Sequence, residues 1–291
     1  MEKWLISSFP LVCGGALFLL SACGRHVAPD PPLAEPVYSE QSLGVAKPCA
    51  LEFWIQSPHR YKDYPWNILR MWFPEQAGIR DMNGKKLWNL HMISDPAVWE
   101  RAEGGLRAEC DIPGGGKFIR TVKSEGAVIN FVMSFQNDSK NPWRNANGGS
   151  CLQFSAAADY EDNTGERTYW VLDGVLTPTF HTAITDPGMR GHCSVGQKIP
   201  MKDGTQKTVS EGAVFIPSKD GKYVLGYSWQ PAAGMFYNRA GIVACNHVHP
   251  PGFDVAPGET KTANGIIFVH EGSKEEAYQR FLDWKSGLND G

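Results

Sequence analysis

Short apolar runs, each ended by glycine, proline or a polar cluster, follow one another along most of the chain. Runs of about four to eight residues with such breaks are typical of β-strands, whereas amphipathic helices show longer stretches with a period near 3.6. The pattern therefore predicts a mainly β body. The predicted strands are Ala50–Gln56, Ile68–Phe73, Leu87–Ile93, Leu106–Cys110, Lys117–Val122, Ala127–Phe135, Cys151–Ala156, Arg167–Leu172, Ala213–Ile216, Tyr223–Trp229, Ile242–His249 and Asn264–His270.

The clearest of these strands is Ala127–Phe135, because its side chains alternate in character with a period of two. Its odd-numbered positions carry large apolar side chains: Ile129, Phe131, Met133 and Phe135. The even-numbered positions mix polar and smaller apolar residues. We therefore expect the odd-numbered face to lie in the core.

Two segments predict helices rather than strands. Ser94-Asp95-Pro96 provides a capping Asp and an N1 proline before a short helix near 96–103, which Gly104-Gly105 would end. Ser273 with Glu276 three residues later forms a capping-box pattern at the start of a C-terminal helix. We expect this second helix to cover an edge or an end of a sheet. Residues 137–149 are predicted to form a polar loop, and residues 188–212 fit strands and loop equally.

Many strands with two short helices predict a large two-sheet β-sandwich, and a sandwich of this size can form a single domain. We assign residues 37–291 to that domain. Gly24 to Pro36 is rich in proline and has little to bury, so it is predicted to be an extended tether.

The pattern at the N-terminus predicts an export signal. An apolar run from Trp4 to Leu20 follows Lys3, and it falls short of the roughly 20 residues that a spanning helix needs. The tetrapeptide Leu20-Ser21-Ala22-Cys23 at its end resembles the lipobox of bacterial lipoproteins. That resemblance implies a signal peptide over 1–22, a lipidated Cys23 in the segment 23–36, and a membrane partner bound through acyl chains. The residue after Cys23 is Gly24, whereas in that family an Asp at this position is associated with retention in the inner membrane. Gly24 therefore favours the outer membrane where two membranes exist.

Charge and cysteine content fit an exported protein. The formal net charge is -3 and basic residues form no stripe, so nucleic acid is not expected as a partner. Five cysteines remain between the predicted lipidation site and the C-terminus, which allows two disulfide bridges at most. Their spacing leaves the pairing open, and small buried hydrophobes with a single bridge are the simpler interpretation. These cysteines are Cys49, Cys110, Cys151, Cys193 and Cys245.

The segment from Asn130 through Asn137 to Cys151, and the Pro-Gly-Glu turn at 257–259 before the last strand, carry a second resemblance. In strand and turn style they resemble the supersandwich domains of galactose mutarotase-like and polysaccharide-lyase proteins. They also resemble secreted β-sandwich proteins of no known activity. The resemblance implies a supersandwich-like fold and assigns no catalytic residue.

The densest group of chemically active residues is Cys245-Asn246-His247-Val248-His249. On an extended strand, residues 245, 247 and 249 share one face, where imidazoles and a thiol suit zinc, iron or copper. His247 and His249 are therefore candidate metal ligands, with further ligands to come from Asp254, His181, His192 or His270. The alternative is that Pro250-Pro251 ends the strand and that the histidines line a pocket or form hydrogen bonds with the backbone, without metal.

The same segment also suggests catalysis on acidic sugars. His247 as a general base, with Arg239 and Tyr237 just before it, supplies the groups that a lyase acting on uronic acids needs. Aromatic content supports sugar binding, since a tryptophan face can stack on a pyranose ring. Trp143, placed in the predicted polar loop, Trp229 and Asp254 are the candidate substrate-binding residues.

The sequence thus predicts a lipid-anchored cell-envelope protein that binds carbohydrate, with glycan lyase or hydrolase activity left open. Two alternatives stand beside it. The first is a non-enzymatic scaffold or assembly lipoprotein, and the second is a metal-binding protein that uses His247 and His249. No cofactor is assigned.

Overall fold

Antiparallel strands make up most of the chain in the computed structural model of the protein. The structure describes residues 37–38, 50–61, 64–91, 98–102, 105–125, 127–186, 190–239 and 244–288. The predicted signal peptide, Cys23, the tether and Cys49 lie outside these residues. The described residues all belong to one compact unit, Pro31–Gly291.

Nineteen strands, one 3-10 turn and one α-helix occur within the described ranges. The strands are β1 Val37–Tyr38, β2 Ala50–Tyr61, β3 Tyr64–Arg80, β4 Lys86–His91, β5 Glu100–Ala102, β6 Gly105–Asp111, β7 Lys117–Glu125, β8 Val128–Gln136, β9 Trp143–Ala156, β10 Tyr169–Leu172, β11 Val175–Pro178, β12 Arg190–Ser194, β13 Lys198–Pro200, β14 Gln206–Pro217, β15 Tyr223–Gln230, β16 Gly234–Asn238, β17 Cys245–His249, β18 Phe253–Val255 and β19 Thr260–Glu271. The 3-10 turn is Thr179–His181, and the helix α1 is Lys274–Gly287.

The strands form two large antiparallel sheets, which confirms the predicted two-sheet β-sandwich. Sheet I has the order β1-β2-β3-β9-β17-β16-β12, with β4 paired to β3 and β18 paired to β9. Sheet II has the order β11-β10-β14-β15-β19-β8-β7-β6-β5, with β13 paired to β14. Side chains from the inner faces of both sheets form one hydrophobic core.

Strand β8 shows how the sequence pattern places the core. Its residues alternate between buried and half-buried along the strand, and the odd-numbered side chains are the buried set. Phe131 and Phe135 are fully buried, with Phe135 stacked on Phe118 of β7 at a centroid distance of 4.8 Å. The predicted core face of this strand is therefore confirmed.

A buried polar group ties the two sheets together. Ser150 of β9 in sheet I forms a 2.7 Å hydrogen bond with the hydroxyl of Tyr227 on β15 in sheet II. The indole N–H of Trp229 donates to the Ser150 hydroxyl at 2.8 Å. Because an unsatisfied polar group costs free energy in the interior, this group holds β9 and β15 at one relative position.

Helix α1 begins at the predicted capping box, since the Ser273 side chain accepts from the Glu276 backbone and Glu276 accepts from the Ser273 backbone. The helix covers the outer face of sheet II, not an edge or an end as expected. Ala277 and Phe281 pack there on Phe215 and Phe268 in a cluster separate from the main core. The outward-facing residues of β14, β15 and β19 are apolar enough to require such a cover.

The predicted helix near 96–103 is wrong in its described part, because Glu100–Ala102 is an edge strand paired with Gly105–Arg107. Tertiary contact outweighs the local capping pattern here. Trp99 packs on the Phe73 ring at 6.1 Å and lies under the Arg120 guanidinium at 5.2 Å. The chain entering β5 is fixed by these contacts with the core.

The predicted polar loop over 137–149 is too long, since strand β9 already begins at Trp143. Trp143 pairs with Val255 of β18 and is 3% exposed, so its predicted place in a polar loop is wrong. Its ring lies against Gly116, where any added Cβ would clash with it. Gly116 therefore makes room for this indole.

Candidate functional site

The candidate site lies on the outer face of sheet I, where strand β17 directs alternate side chains away from the core. Val248 is fully buried in the main core. On the opposite face the His247 and His249 rings lie 5.4 Å apart, and Cys245 Sγ is 3.1 Å from His247 Nε2. The predicted shared face of residues 245, 247 and 249 is confirmed.

Cys151 joins this face from the adjacent strand β9, and Glu75 joins it from β3, the strand beyond β9. A ligand atom from each of Cys151, Cys245 and His247 lies within 4.8 Å of the other two. Glu75 Oε2 lies 3.3 Å from His247 Nδ1, on the other side of the imidazole from the thiols. Trp72 packs with the two cysteines in a small cluster outside the main core.

The pKa values of His247 and His249 shift in opposite directions. Burial opposes the charge on His247, but hydrogen bonds to Cys245 and Glu75 outweigh it and raise the pKa of His247 to about 9. Burial, and then the neighbouring His247, lower the pKa of His249 to about 4. His247 is therefore the charged member of the pair at neutral pH.

The acidic groups respond to the same contacts. Burial alone would raise the pKa of Glu75, yet the hydrogen bond from His247 brings it below its ordinary value. The hydrogen bond between the thiols, followed by burial, raises the pKa of Cys151. The same hydrogen bond, with His247, lowers the pKa of Cys245 against the effect of burial. Cys245, His247 and Glu75 thus form one hydrogen-bonded chain.

His249 has a glycine beside it on each of the strands β16 and β9. Gly234 of β16 pairs with it, and a Cβ added to Gly149 of β9 would lie only 3.1 Å from its Nδ1 atom. Gly149 in turn pairs with Gln76, which pairs with His91 of β4. The His249 ring thus occupies the space that a side chain at position 149 would fill.

A cleft of about 360 Å³ lies on the same face, over β3, β4 and β9. Its floor includes Gly78, which pairs with Asn89 on one side and Asn147 on the other. The next row of paired residues along these strands is His91, Gln76 and Gly149. Because the His249 ring lies against Gly149, this row connects the cleft with His249. Its polar lining comprises Gln76, Arg80, Lys86, Asn89, His91, Asn145 and Asn147.

The structure does not bring the proposed catalytic residues Tyr237 and Arg239 to His247. Tyr237 points into the core, where its ring lies 5.3 Å from that of Trp170. Arg239 is buried, donates to the Thr164 carbonyl at 3.1 Å and to Thr179, and packs over the Tyr237 ring. Arg239 therefore holds the loop around Thr164.

The three candidate substrate-binding residues lie in different surroundings. Trp229 is fully buried between the sheets, and Trp143 is buried beside β18. Asp254 is exposed and accepts from the Asn145 backbone N–H at 3.3 Å. Since Asn145 lines the cleft and has a φ of 49°, Asp254 supports a cleft residue in a turn conformation.

The further metal ligands considered from the sequence lie outside the group of Cys151, Cys245 and His247. His192 lies close enough to His249 to depress its pKa further. His270 lies 3.9 Å from Glu276 at the start of α1, and His181 contacts the Phe180 ring. Cys151, Cys193 and Cys245 are buried free thiols, and Cys110 is also buried.

Sequence reasoning missed Glu75, Cys151 and the cleft residues of β3 and β4. The predicted strand ends at Phe73, before Pro74 and Glu75, whereas β3 continues to Arg80. Cys151 is adjacent to His247 only because β9 pairs with β17, a pairing that spans almost a hundred residues of chain. Histidine and amide alternation in Asn89-Leu90-His91 is the one local signal that was present.

The described residues thus define an antiparallel two-sheet β-sandwich with a histidine- and amide-rich outer face. None of its described helices has the length and apolar character that crossing a membrane requires. No protein-family model matches the chain. A search of curated proteins likewise returns no match.

Several solved structures are similar to this chain at low identity. The Slr1438 protein from Synechocystis sp. PCC 6803 has a TM-score of 0.47 and 11% identity, covering 88% of this chain and 100% of that one. A galactose mutarotase related enzyme from Lactobacillus acidophilus has a TM-score of 0.45 and 12% identity, covering 77% and 96%. A putative aldose 1-epimerase from Escherichia coli K12 has a TM-score of 0.44 and 9% identity, covering 77% and 97%.

Proposed function

We propose that the protein binds a carbohydrate carrying carboxylate groups in the cleft over β3, β4 and β9, while Cys23 anchors it to lipid in the cell envelope. The observation that supports this most directly is the row of Asn89, Gly78 and Asn147. Two amides flank a floor without a side chain, which suits the hydroxyl groups of a flat sugar ring. Side-chain amides both donate and accept hydrogen bonds, as hydroxyl recognition requires.

The charge of the lining supports an acidic ligand. Arg80 of β3 and Lys86 of β4 are opposite one another on adjacent strands and line the cleft. Arg144 of β9 is opposite Arg80 on its other side. Three cations close together attract a carboxylate, and the attraction weakens as salt screens it. Binding to a polyuronate is therefore expected to exceed binding to a neutral glucan and to fall with ionic strength.

The cleft itself is tested by Gly78→Val. A Cβ at Gly78 would meet its nearest neighbour, the Trp88 carbonyl oxygen, at 3.5 Å, an ordinary contact, so the fold should accept the change. The added side chain projects from the cleft floor, and affinity for the polyuronate is expected to fall by about tenfold or more, equivalent to roughly 1.4 kcal/mol. Calorimetric titration of a uronic-acid oligosaccharide measures the change.

Lys86→Gln tests the charge, with an expected loss of about fivefold, since exposed ion pairs contribute up to roughly 1 kcal/mol. Lys198→Gln is the matched control, because Lys198 is also exposed but lies on β13 of sheet II. Unchanged binding by Gly78→Val would show that the cleft is not the glycan site. Equal losses for both lysine variants would remove the charge argument.

Anchoring through Cys23 is supported by the tetrapeptide Leu20-Ser21-Ala22-Cys23. When the full chain is expressed in a bacterium with two membranes, we expect Cys23→Ser to abolish incorporation of a labelled fatty acid. Cys13→Ser, which alters a cysteine inside the apolar run, should leave incorporation unchanged. Labelled protein should sediment with the outer membrane. An unlabelled wild-type chain would contradict the anchoring part of the proposal alone.

A further inference from the structure

We propose that Cys151, Cys245 and His247 bind one thiophilic metal ion, Zn²⁺ or Cu⁺, and that Glu75 orients the histidine ligand. Thiolates and an imidazole are the donor set that these two ions prefer in proteins. The proposal does not depend on glycan binding, and it replaces the pair of His247 and His249 suggested by sequence spacing.

Distances between the three ligand atoms fit a metal centre. They all lie within 4.8 Å of one another, and Cys245 Sγ to His247 Nε2 is 3.1 Å. Metal–sulfur bonds near 2.3 Å and metal–nitrogen bonds near 2.0 Å require ligand atoms about 3.5–3.8 Å apart in a tetrahedral site. Small side-chain rotations therefore separate the sulfur and nitrogen enough to admit the ion.

Glu75 contacts the histidine ligand on the side away from the proposed metal ion. Its carboxylate only accepts hydrogen bonds, so the contact of Oε2 with His247 Nδ1 at 3.3 Å places a proton on Nδ1. Nε2, the nitrogen that faces Cys245, is then the ligand atom. A carboxylate behind a histidine ligand is a recurring arrangement in metal sites and fixes both the ring orientation and the tautomer.

The backbone holds both sulfur ligands on rigid, paired strands. Cys245 pairs with Gln153 and Asn246 with Leu152, which brings Cys151 beside His247 across β9 and β17. Cys151, Cys245 and His247 are 3%, 5% and 5% exposed, and the Trp72 side chain packs on the cysteines. A buried site with two thiols favours a tightly held ion over a rapidly exchanging one.

His249 lies on the same face but outside this group. Its ring centroid is 5.4 Å from that of His247, and its Nδ1 atom faces Gly149 instead of the thiols. His249 therefore provides the comparison that separates the two possible ligand sets. Cys193, a buried free thiol on β12, provides the comparison for cysteine replacement.

The test uses the full chain, purified in detergent under reducing conditions and stripped with a chelator. We expect one equivalent of Co²⁺ to produce thiolate-to-cobalt charge-transfer bands in the near ultraviolet, together with visible bands typical of tetrahedral coordination. Competition titrations with Zn²⁺ and Cu⁺ against chromophoric chelators then give the affinity for each ion and identify the preferred one. Binding should also raise the melting temperature, because an ion that binds only the folded state stabilises it.

Variants assign the ligands. Glu75→Gln is expected to weaken Zn²⁺ binding by about 10- to 100-fold, the range for loss of a carboxylate behind a histidine ligand. Cys151→Ser and Cys245→Ser should each weaken binding further and remove charge-transfer intensity. His249→Gln and Cys193→Ser should bind as the wild type does. Circular dichroism checks that each variant is folded, and Glu75→Gln, half-exposed and conservative, keeps the test open where a cysteine variant unfolds.

Three results would overturn the proposal. The first is failure of the wild-type chain to bind one equivalent of Co²⁺, Zn²⁺ or Cu⁺. The second is loss of binding in His249→Gln with retention in Cys151→Ser, which would restore the two-histidine set. The third is a thiol count on the unfolded, non-reduced protein that shows Cys151 and Cys245 joined in a disulfide.

Discussion

Replacing Trp229 by alanine is expected to lower the free energy of unfolding by about 3–5 kcal/mol, the range for removing a large buried aromatic side chain. Trp229 is fully buried, and its ring lies 5.5 Å from Phe73 and 6.1 Å from Phe131. The change also removes the hydrogen bond to Ser150 that joins the two sheets. Gly265 lies directly against this ring and has no side chain that could fill the void.

Urea unfolding followed by far-ultraviolet circular dichroism measures this effect. Trp229→Phe is the matched variant, because it keeps an aromatic ring but lacks the N–H donor. Its expected cost is about 1–2 kcal/mol, since the Ser150 and Tyr227 hydroxyls still satisfy each other. A loss below about 1 kcal/mol in Trp229→Ala would contradict the inter-sheet role given to this residue.

Replacing Asp162 by alanine is expected to cost about 2–3 kcal/mol, because buried donors lose a charged acceptor. Asp162 Oδ1 accepts from the Gly165 backbone at 2.9 Å, and Oδ2 accepts from the Arg167 backbone and the Thr168 hydroxyl, both at 2.9 Å. These bonds organise the loop that Arg239 also holds through Thr164. Both carboxylate oxygens of Asp162 are thus engaged within the loop.

The same residue predicts a pH dependence. Burial would raise the pKa of Asp162, but the hydrogen bonds from Thr168, Gly165 and Arg167 bring it below the ordinary value of 3.8. A carboxyl group with a lowered folded-state pKa stabilises the protein above its unfolded pKa, and this contribution is lost as pH falls through the folded value. The melting temperatures of the wild type and Asp162→Asn should therefore differ at pH 7, and the difference should shrink progressively as the pH falls below about 4.

Asp203→Ala is the control for this prediction. Asp203 makes similar short-range bonds to Thr205, at 2.9 Å to its backbone, but lies in solvent. Water replaces those bonds, so its removal should change the melting temperature little. Equal effects of the Asp162 and Asp203 variants would show that burial of the 162–168 loop does not matter.

The sequence predicted the fold well where a local pattern decides the structure. The alternation in β8 and the Ser273–Glu276 capping box depend on residues only a few positions apart, and both are confirmed. The helix near 96–103 failed because Trp99 contacts Phe73 and Arg120, which come from other strands. Long-range packing of this kind has no signal in a short window of sequence.

The candidate site was predictable only in part, for the same physical reason. Cys245, His247 and His249 lie on one strand, so their common face follows from a period of two. Cys151 and Glu75 reach that face through pairing of β9 and β3 with distant strands. Trp143 and Trp229 were chosen for their aromatic faces, whereas burial makes both part of the interior.

The inward position of Ser150 has a consequence for how this region can change during evolution. Trp229 and Tyr227 fix Ser150 inside, so Gly149 and Cys151 must both face out. Inserting or deleting one residue here would exchange the two sides of the strand and send a thiol into the interior. Divergent sequences that keep this architecture are therefore expected to conserve the spacing along β9 more strictly than the identity of its surface residues.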